Sequence, residues 1–169
     1  NFAMVAGQVG RALAAVLDYE RISITAGESP ARRAVSRPLL AHLCRFSGRP
    51  GQAIEILDNE SCATPATKSW GETSRVLALL DLGRWEAAAD ASARGMKGFK
   101  ECGDASGAAL HQAFNVLSLR ADGEGAGWIA AADALPTHVE GDVIAEATCS
   151  WVRAESLIAR GRLAEAEEV

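Results

Sequence analysis

Aromatic residues are scarce in this chain of 169 residues, where they make up 5% of the sequence. The abundant alanine instead favours closely packed helices over sheet, because small side chains with high helix propensity let helices approach one another. No segment has the turn-bounded enrichment in valine, isoleucine and threonine that predicts a strand. We therefore expect an all-α fold.

Long apolar runs and signal peptides are also missing. A transmembrane helix needs roughly 18 or more consecutive apolar residues, and the sequence contains no such run. The N-terminus lacks the basic-then-apolar pattern of a secretory signal. These absences exclude a membrane-spanning helix and favour a cytoplasmic location.

Positive charge is not in excess either, since the chain has a net charge of −5 and a pI near 5.2. A nucleic-acid-binding domain usually shows a basic stripe. Here the arginines are scattered among carboxylates, which is typical of solvated helix surfaces. We expect no direct contact with nucleic acid.

Paired metal ligands and catalytic motifs are absent. The four cysteines form no Cys-x-x-Cys pair, and reduced thiols packed as small hydrophobes are the simplest interpretation, with a redox or metal role as the alternative. They are Cys44, Cys62, Cys102 and Cys149. The histidines, His42, His111 and His138, form no His-Glu-x-x-His motif. We expect no catalytic residues, no metal and no cofactor.

A short pattern recurs five times along the chain. A glycine, usually followed by arginine, precedes an alanine by a few residues in segments 10–15, 48–53, 83–88, 126–131 and 161–166. The last alanines, at 15, 53, 88, 131 and 166, are spaced by 38, 35, 43 and 35 residues. Such self-similarity is typical of a repeat protein.

The segments between these turns have the spacing of amphipathic helices. Apolar residues three and four apart precede each of the last four turns, and glycine suits the left-handed position that ends a helix. Each alanine is expected where two antiparallel helices come closest. The predicted helices are 2–9 and 11–26, 30–47 and 49–61, 65–82 and 84–102, 104–121 and 126–135, and 142–160 and 162–169.

The opposite ends of the helix pairs carry start signals. Ser29-Pro30 and Thr64-Pro65 predict an N-cap followed by proline in the first helical turn. Gly103-Asp104 and Gly141-Asp142 predict a terminating glycine followed by a capping aspartate.

The repeats resemble the tetratricopeptide (TPR) family. The matching residues are Gly48, Ala53 and Pro65, then Gly83 and Ala88, then Gly161, Glu165 and Ala166. The first-helix tryptophan and the following tyrosine of that family are missing from most repeats. The resemblance implies a right-handed α-α superhelix, a solenoid of four to five antiparallel helix hairpins forming one repeat domain over residues 1–169.

Uneven repeat lengths, with residues 103–107 opening a first helix, resemble a narrower group. Large bacterial LuxR-type, maltotriose-activator-like transcription regulators carry such arrays between an ATPase module and a DNA-binding helix-turn-helix. That resemblance implies a segment of a longer protein, the sensor region that receives a regulatory protein, a peptide or a small-molecule effector.

In a hairpin solenoid the first helix of each pair lines a concave groove. We expect the binding residues to be His42, Arg45, Trp70, Thr73, Gln112, Asn115, Trp151 and Glu155. From the sequence, Trp70 and Trp151 fit either the core or the groove, whereas Trp85 and Trp128 recur at one repeat position and favour packing between helices.

The leading hypothesis is therefore a protein-interaction or effector-sensing module of a signalling or transcription regulator. One alternative is a helical enzyme domain that binds a small molecule at the repeat junctions. Another is an assembly scaffold that forms a homodimer through uncapped ends.

Overall fold

The computed structural model of the protein describes residues 8–58, 64–121 and 127–169. The predicted helix 2–9, apart from its end, lies outside these residues, as do Cys62, the end of the predicted helix 49–61 and most of the glycine-rich fourth turn. The chain divides into two compact units, Asn1–Arg84 and Trp85–Val169.

The first unit consists of helices that pack as neighbours along the chain. They are α1 (Val9–Thr25), α2 (Pro30–Arg33), a 3-10 turn (Ala34–Ser36), α3 (Arg37–Phe46), α4 (Pro50–Asp58) and α5 (Pro65–Asp81). Helix α3 is central, because it packs against α1, α4 and α5, and α4 also packs against α5.

The second unit is built in the same way around α7. Its helices are α6 (Trp85–Glu101), α7 (Ala105–Ala121), α8 (Gly127–Asp133), α9 (Val143–Ala159) and α10 (Leu163–Ala166). Helix α7 packs against α6, α8 and α9, while α9 contacts α8 and α10. The prediction of an all-α fold of antiparallel helix pairs, TPR-like in its repeats, is confirmed.

The predicted turn glycines end helices as expected. Gly48, Gly83 and Gly161 have φ angles of 74°, 68° and 73°, a left-handed conformation that glycine adopts without steric cost. After each of them, the next residue donates its N–H to the carbonyl five positions earlier, as in Arg49 to Cys44 at 3.0 Å. These bonds satisfy carbonyls that the ended helix leaves without a partner.

The predicted helix starts are also present. The side chains of Ser29 and Thr64 accept from the N–H groups three residues on. Asp142 accepts from Ile144 and Ala145, and Asp104 accepts from the N–H of Gly107 at 2.8 Å.

The first copy of the turn pattern is not a turn. Gly10 lies in α1, which begins at Val9, so no helix ends there and no left-handed residue is needed. Ala15 is exposed rather than packed. In the fourth copy the fully buried alanine is Ala132, one residue after the predicted Ala131.

The predicted helix 30–47 is interrupted. Pro38, the second residue of α3, has no N–H to donate to the carbonyl of Ala34, so the α-helical ladder cannot run through this point. The tighter 3-10 turn of residues 34–36 joins the two pieces.

Small residues bring the helices of the first unit together. Ala41 on α3, Ala53 on α4 and Ala78 on α5 each have no exposed surface. They belong to one core cluster with Leu40, Cys44 and Leu57, while Leu13, Val16, Ile54 and Ile56 pack around it.

In the second unit, two glycines accommodate two rings. A Cβ atom built on Gly95 of α6 would lie 2.1 Å from the His111 ring of α7, and one built on Gly107 would lie 2.5 Å from the Phe99 ring. The two ring centroids are 5.4 Å apart, and His111 also meets Phe114 edge-on. The backbones of α6 and α7 can approach this closely only because no side chain separates them.

Replacing Gly95 by alanine should destabilise the second unit by about 1–3 kcal/mol, since the new methyl group must displace a buried ring. Gly51→Ala is the matched control. It lies in α4 with no atom within 4 Å of its Cβ position, and it should be neutral or stabilising by about 0.5–1 kcal/mol. Urea unfolding measures both free energies, and equal destabilisation by the two variants would contradict the packing described here.

His111 should make stability depend on pH. Burial lowers the pKa of His111 from 6.5 to about 4, although a hydrogen bond with the Ser92 backbone opposes the shift. Below about pH 6.5 the unfolded chain therefore binds a proton at His111, whereas the folded chain binds it only below about pH 4. We expect the free energy of unfolding to fall by about 3 kcal/mol as the pH drops through this window.

The check is urea unfolding at several pH values for the wild type, His111→Gln and His138→Gln. His138 is exposed, so its variant should keep the pH slope, whereas His111→Gln should reduce it and leave the contribution of His42, whose pKa burial also lowers. A slope in His111→Gln as steep as that of the wild type would assign the acid sensitivity to other groups.

Candidate functional site

Helix α3 and the turn before it leave a row of apolar side chains uncovered. Val35, Leu39 and Phe46 are 61%, 45% and 51% exposed, and His42 lies between them, half-buried. The spacing of three and four residues places Leu39, His42 and Phe46 on one side of α3, and Val35 lies in the 3-10 turn just before it. We call these four residues the α3 face.

An arginine and a carboxylate hold one end of this face in place. Arg45 donates from Nε and Nη2 to the two carboxylate oxygens of Asp81 on α5, at 2.6 and 3.2 Å. Its guanidinium carbon also lies 5.2 Å from the centre of the Phe46 ring. Both contacts fix the orientation of Phe46 at the surface, because a bidentate arginine is geometrically constrained.

His42 is a neutral side chain in this setting. Burial lowers the pKa of His42, and the nearby Arg45 charge lowers it further. Its ring meets the Phe46 ring edge-on, with centroids 4.7 Å apart. It therefore offers an aromatic surface and a hydrogen-bonding nitrogen rather than a positive charge at neutral pH.

Helices α3 and α5 run side by side in the same direction. Ser74 donates to the Pro38 carbonyl at 3.0 Å, and the Arg45–Asp81 pair repeats this offset of 36 residues two turns later. Trp70, one turn before Ser74, is consequently level with the start of the α3 face. It is 48% exposed, which places it outside the core.

Thr73 does not lie at this surface. It is buried, and its hydroxyl donates to the Ser69 carbonyl of the preceding turn at 3.4 Å. Threonine is small enough to be accommodated between helices, and its backbone-directed hydrogen bond compensates for the buried hydroxyl.

In the second unit, α9 carries a comparable row. Ile144, Trp151 and Ile158 are 63%, 51% and 52% exposed at intervals of seven residues, so they share one side of the helix. The opposite side, formed by Ala145, Cys149, Val152 and Ser156, is buried. We call Ile144, Trp151 and Ile158 the α9 face.

The polar members of this surface are linked to one another. Trp151 donates from its indole N–H to Glu155 at 3.3 Å, and the other oxygen of Glu155 pairs with Arg120 of α7 at 2.9 Å. Arg120 in turn lies 5.5 Å from the centre of the Trp128 ring. Trp151 is thus positioned by a chain of contacts that continues to α8.

Gln112 and Asn115 lie on α7, both half-buried. Gln112 donates its side-chain amide to the Ala134 carbonyl at 3.1 Å, just beyond the end of α8. Its role in the structure is therefore to cap a helix end, since such carbonyls lack partners within the helix.

Five of the eight predicted binding residues thus lie in two groups. His42, Arg45 and Trp70 lie around the α3 face, and Trp151 and Glu155 lie on and beside the α9 face. The sequence interpretation missed Phe46 and Arg120. The position of Phe46 at the C-terminal end of a first helix could have indicated it, because the predicted turn follows within two residues, whereas no local signal indicated Arg120.

Among the described residues, no group of three or more histidine, cysteine, aspartate or glutamate side chains could hold a metal ion. Within the same residues, no helix has both the length and the apolar character needed to cross a membrane. Burial raises the pKa of the Cys44 and Cys149 thiols, against the opposing effects of Arg49 and Arg153.

Thiol reactivity tests this assignment. In a Cys62→Ser background, Cys102 is exposed while Cys44 and Cys149 are buried, so a thiol reagent should modify Cys102 rapidly and the other two only after unfolding. Adding Cys102→Ser should remove the rapid phase. Rapid modification of the doubly substituted chain under native conditions would show that a buried thiol is accessible.

One solved structure resembles this fold along nearly its whole length. It is a crystal structure of nearly identical TPR-like repeats from a Podosopora anserina protein assigned as a kinesin light chain. The match has a TM-score of 0.70, covers 98% of this chain and 85% of that chain, and has 15% sequence identity. At this identity the likeness shows the fold: TPR-like helical repeats.

No protein-family model matches the chain, and no curated protein does.

Proposed function

We propose that this chain is a peptide-binding module that captures a segment of a partner protein on the first helices of its pairs. The observation that carries the proposal is the exposure of large apolar side chains there, Phe46, Trp70 and Trp151, each about half uncovered. Aromatic side chains contribute most strongly to binding when a partner covers them. A row of such residues on one helix is typical of recognition surfaces.

The geometry supports binding rather than simple solvent exposure. Phe46 and Trp151 are both held by neighbouring polar contacts, Phe46 through Arg45 and Trp151 through Glu155. A side chain that is already positioned loses less conformational entropy when a partner arrives. The two faces are therefore pre-organised anchors.

We further propose that the module is the partner- or effector-sensing region of a bacterial signalling or transcription regulator acting in the cytoplasm. Support comes from the resemblance of its uneven glycine–arginine repeats to the LuxR-type regulators. The longer reading frame tests this idea. A P-loop ATPase encoded before residue 1 and a helix-turn-helix encoded after Val169 are expected, and a frame with neither would contradict it.

Peptide selection tests the binding function. The purified chain, immobilised, is used to select from a display library of random peptides, and the enriched peptides are then measured by fluorescence anisotropy. We expect enriched peptides whose affinity falls about tenfold or more in either Trp151→Ala or the double variant Leu39→Ser/Phe46→Ser, a loss typical of an interface hot spot.

The matched control is Ile22→Ser/Ile24→Ser on α1, where both side chains are 60% or more exposed but lie on another helix. Circular dichroism should show that all variants keep their helix content. A selection without enrichment, or affinities that fall equally in the control variant, would contradict the proposed function.

A further inference from the structure

Helix α1 is covered on one side only. The side toward the rest of the first unit carries Glu20, whose Oε1 accepts from the Ser36 hydroxyl at 3.2 Å. Leu13 and Val16 pack against the core cluster from this side. Among the 17 residues of α1, all of which the structure describes, Ser23 is the one that is buried. Most of the surface of this helix is therefore open.

The opposite side of α1 is formed by eight residues, all of them exposed. A middle row has spacings of four, three and four residues, and it is flanked by two pairs whose members are seven residues apart, so all eight share one side of the helix. The middle row is Ala14, Asp18, Arg21 and Thr25, and the flanking pairs are Leu17 with Ile24 and Ala15 with Ile22. We call these eight residues the α1 face.

The edges of the α1 face are apolar. Leu17, Ile22 and Ile24 are 49%, 60% and 61% exposed. Thr25 donates its hydroxyl to the Arg21 carbonyl at 2.9 Å, so this polar group already has a partner within the helix. Several large apolar side chains uncovered on one helix are typical of an interaction surface.

The two charges of the α1 face are arranged reciprocally. Arg21 donates from Nη2 to Asp18 Oδ1 at 3.2 Å, and the two side chains are 75% and 65% exposed. They lie equally far on either side of the point between residues 19 and 20. A second, antiparallel α1 centred on that point would bring each aspartate opposite the arginine of the other copy, so that each carboxylate lies between two guanidinium groups.

The same pair of charges disfavours the parallel arrangement. In register, two parallel helices would place aspartate opposite aspartate and arginine opposite arginine, and like charges facing each other across an interface are repulsive. The exposed pair contributes little to the stability of a single chain. Its larger effect is on the direction in which a second copy approaches.

The uncharged residues obey the same symmetry. In the antiparallel arrangement, Leu17 of one copy would lie beside Ile24 of the other along one edge, and Ala15 beside Ile22 along the other edge. Between the edges, Ala14 would face Thr25, and these small side chains let the helices come close. Each contact occurs twice, once in each direction, which is the requirement for a twofold interface between identical chains.

We infer that the α1 face binds a second copy of this chain, with the two α1 helices antiparallel about a twofold axis. This inference goes beyond the proposed function and concerns a different helix. A helix of 17 residues presents roughly 500 Å² to a partner, so the pair would bury about 1,000 Å² in total, the lower limit for a specific interface. We therefore expect a weak dimer with a dissociation constant of roughly 10–100 µM.

Sedimentation velocity of the full chain, at concentrations from about 1 to about 500 µM, measures the association. The mass should rise with concentration from 17.7 kDa toward twice that value. Ile22→Ser/Ile24→Ser should remain monomeric over the whole range. Leu39→Ser/Phe46→Ser on α3 is the matched control and should associate as the wild type does, and circular dichroism should show equal helix content in all chains.

Charge reversals test the antiparallel arrangement. Asp18→Arg and Arg21→Asp should each weaken self-association about tenfold or more, because like charges then face each other across the axis. An equimolar mixture of these two variants should associate as the wild type does, since every arginine then meets an aspartate. The double variant Asp18→Arg/Arg21→Asp, which exchanges the two residues, should also associate.

A mass of 17.7 kDa at every concentration would overturn the inference. So would a dimer that survives Ile22→Ser/Ile24→Ser, a dimer that is lost in Leu39→Ser/Phe46→Ser, or equal self-association of the wild type and the two single charge variants. The peptide selection reports on the α3 and α9 faces, so either proposal can fail while the other stands. Ile22→Ser/Ile24→Ser should lose the dimer and keep the peptide affinity.

Discussion

The close approach of helix backbones at glycine and alanine is the constraint on which this fold depends. Gly95 and Gly107 leave space for the rings of His111 and Phe99 between α6 and α7, and fully buried alanines act in the same way in the first unit. Such contacts maximise dispersion because no void separates the helices.

The aromatic side chains divide between the core and the surface. Phe46, Trp70 and Trp151 remain half-exposed on the first helices while alanine, serine and glycine occupy the helix contacts. Phe99 and Phe114, by contrast, are buried in the second unit. The proposed peptide-binding function rests on the three exposed aromatic residues.

Two ion pairs join neighbouring helices within the units. Arg45–Asp81 ties α3 to α5, and Arg120–Glu155 ties α7 to α9. Each pair lies at the end of an exposed apolar row, where it orients an aromatic residue as well as bridging helices. Partly exposed pairs contribute little stability on their own, so their larger effect here is on geometry.

Part of the candidate site was readable from sequence. Helical spacing and the position of the turn place His42, Arg45, Trp70, Trp151 and Glu155 on first helices, and each lies at or near the surface there. The same spacing could not distinguish Thr73, which is buried, from Trp70, which is exposed, because a threonine satisfies its hydroxyl within the helix whether it is buried or exposed. Arg120 was missed, since its importance comes from Glu155, 35 residues away.

Local chemistry determined the helices, their caps and the three glycine turns at Gly48, Gly83 and Gly161, because each depends on residues within one or two helical turns of sequence. The tertiary structure decided what depends on neighbours distant in the chain. Gly10 lies in the first turn of α1, although its sequence matches the turns. His111 is buried and its pKa lowered because Gly95 lies opposite. Which side chains lie opposite one another depends on which helices pack together, and no local sequence pattern determines that packing.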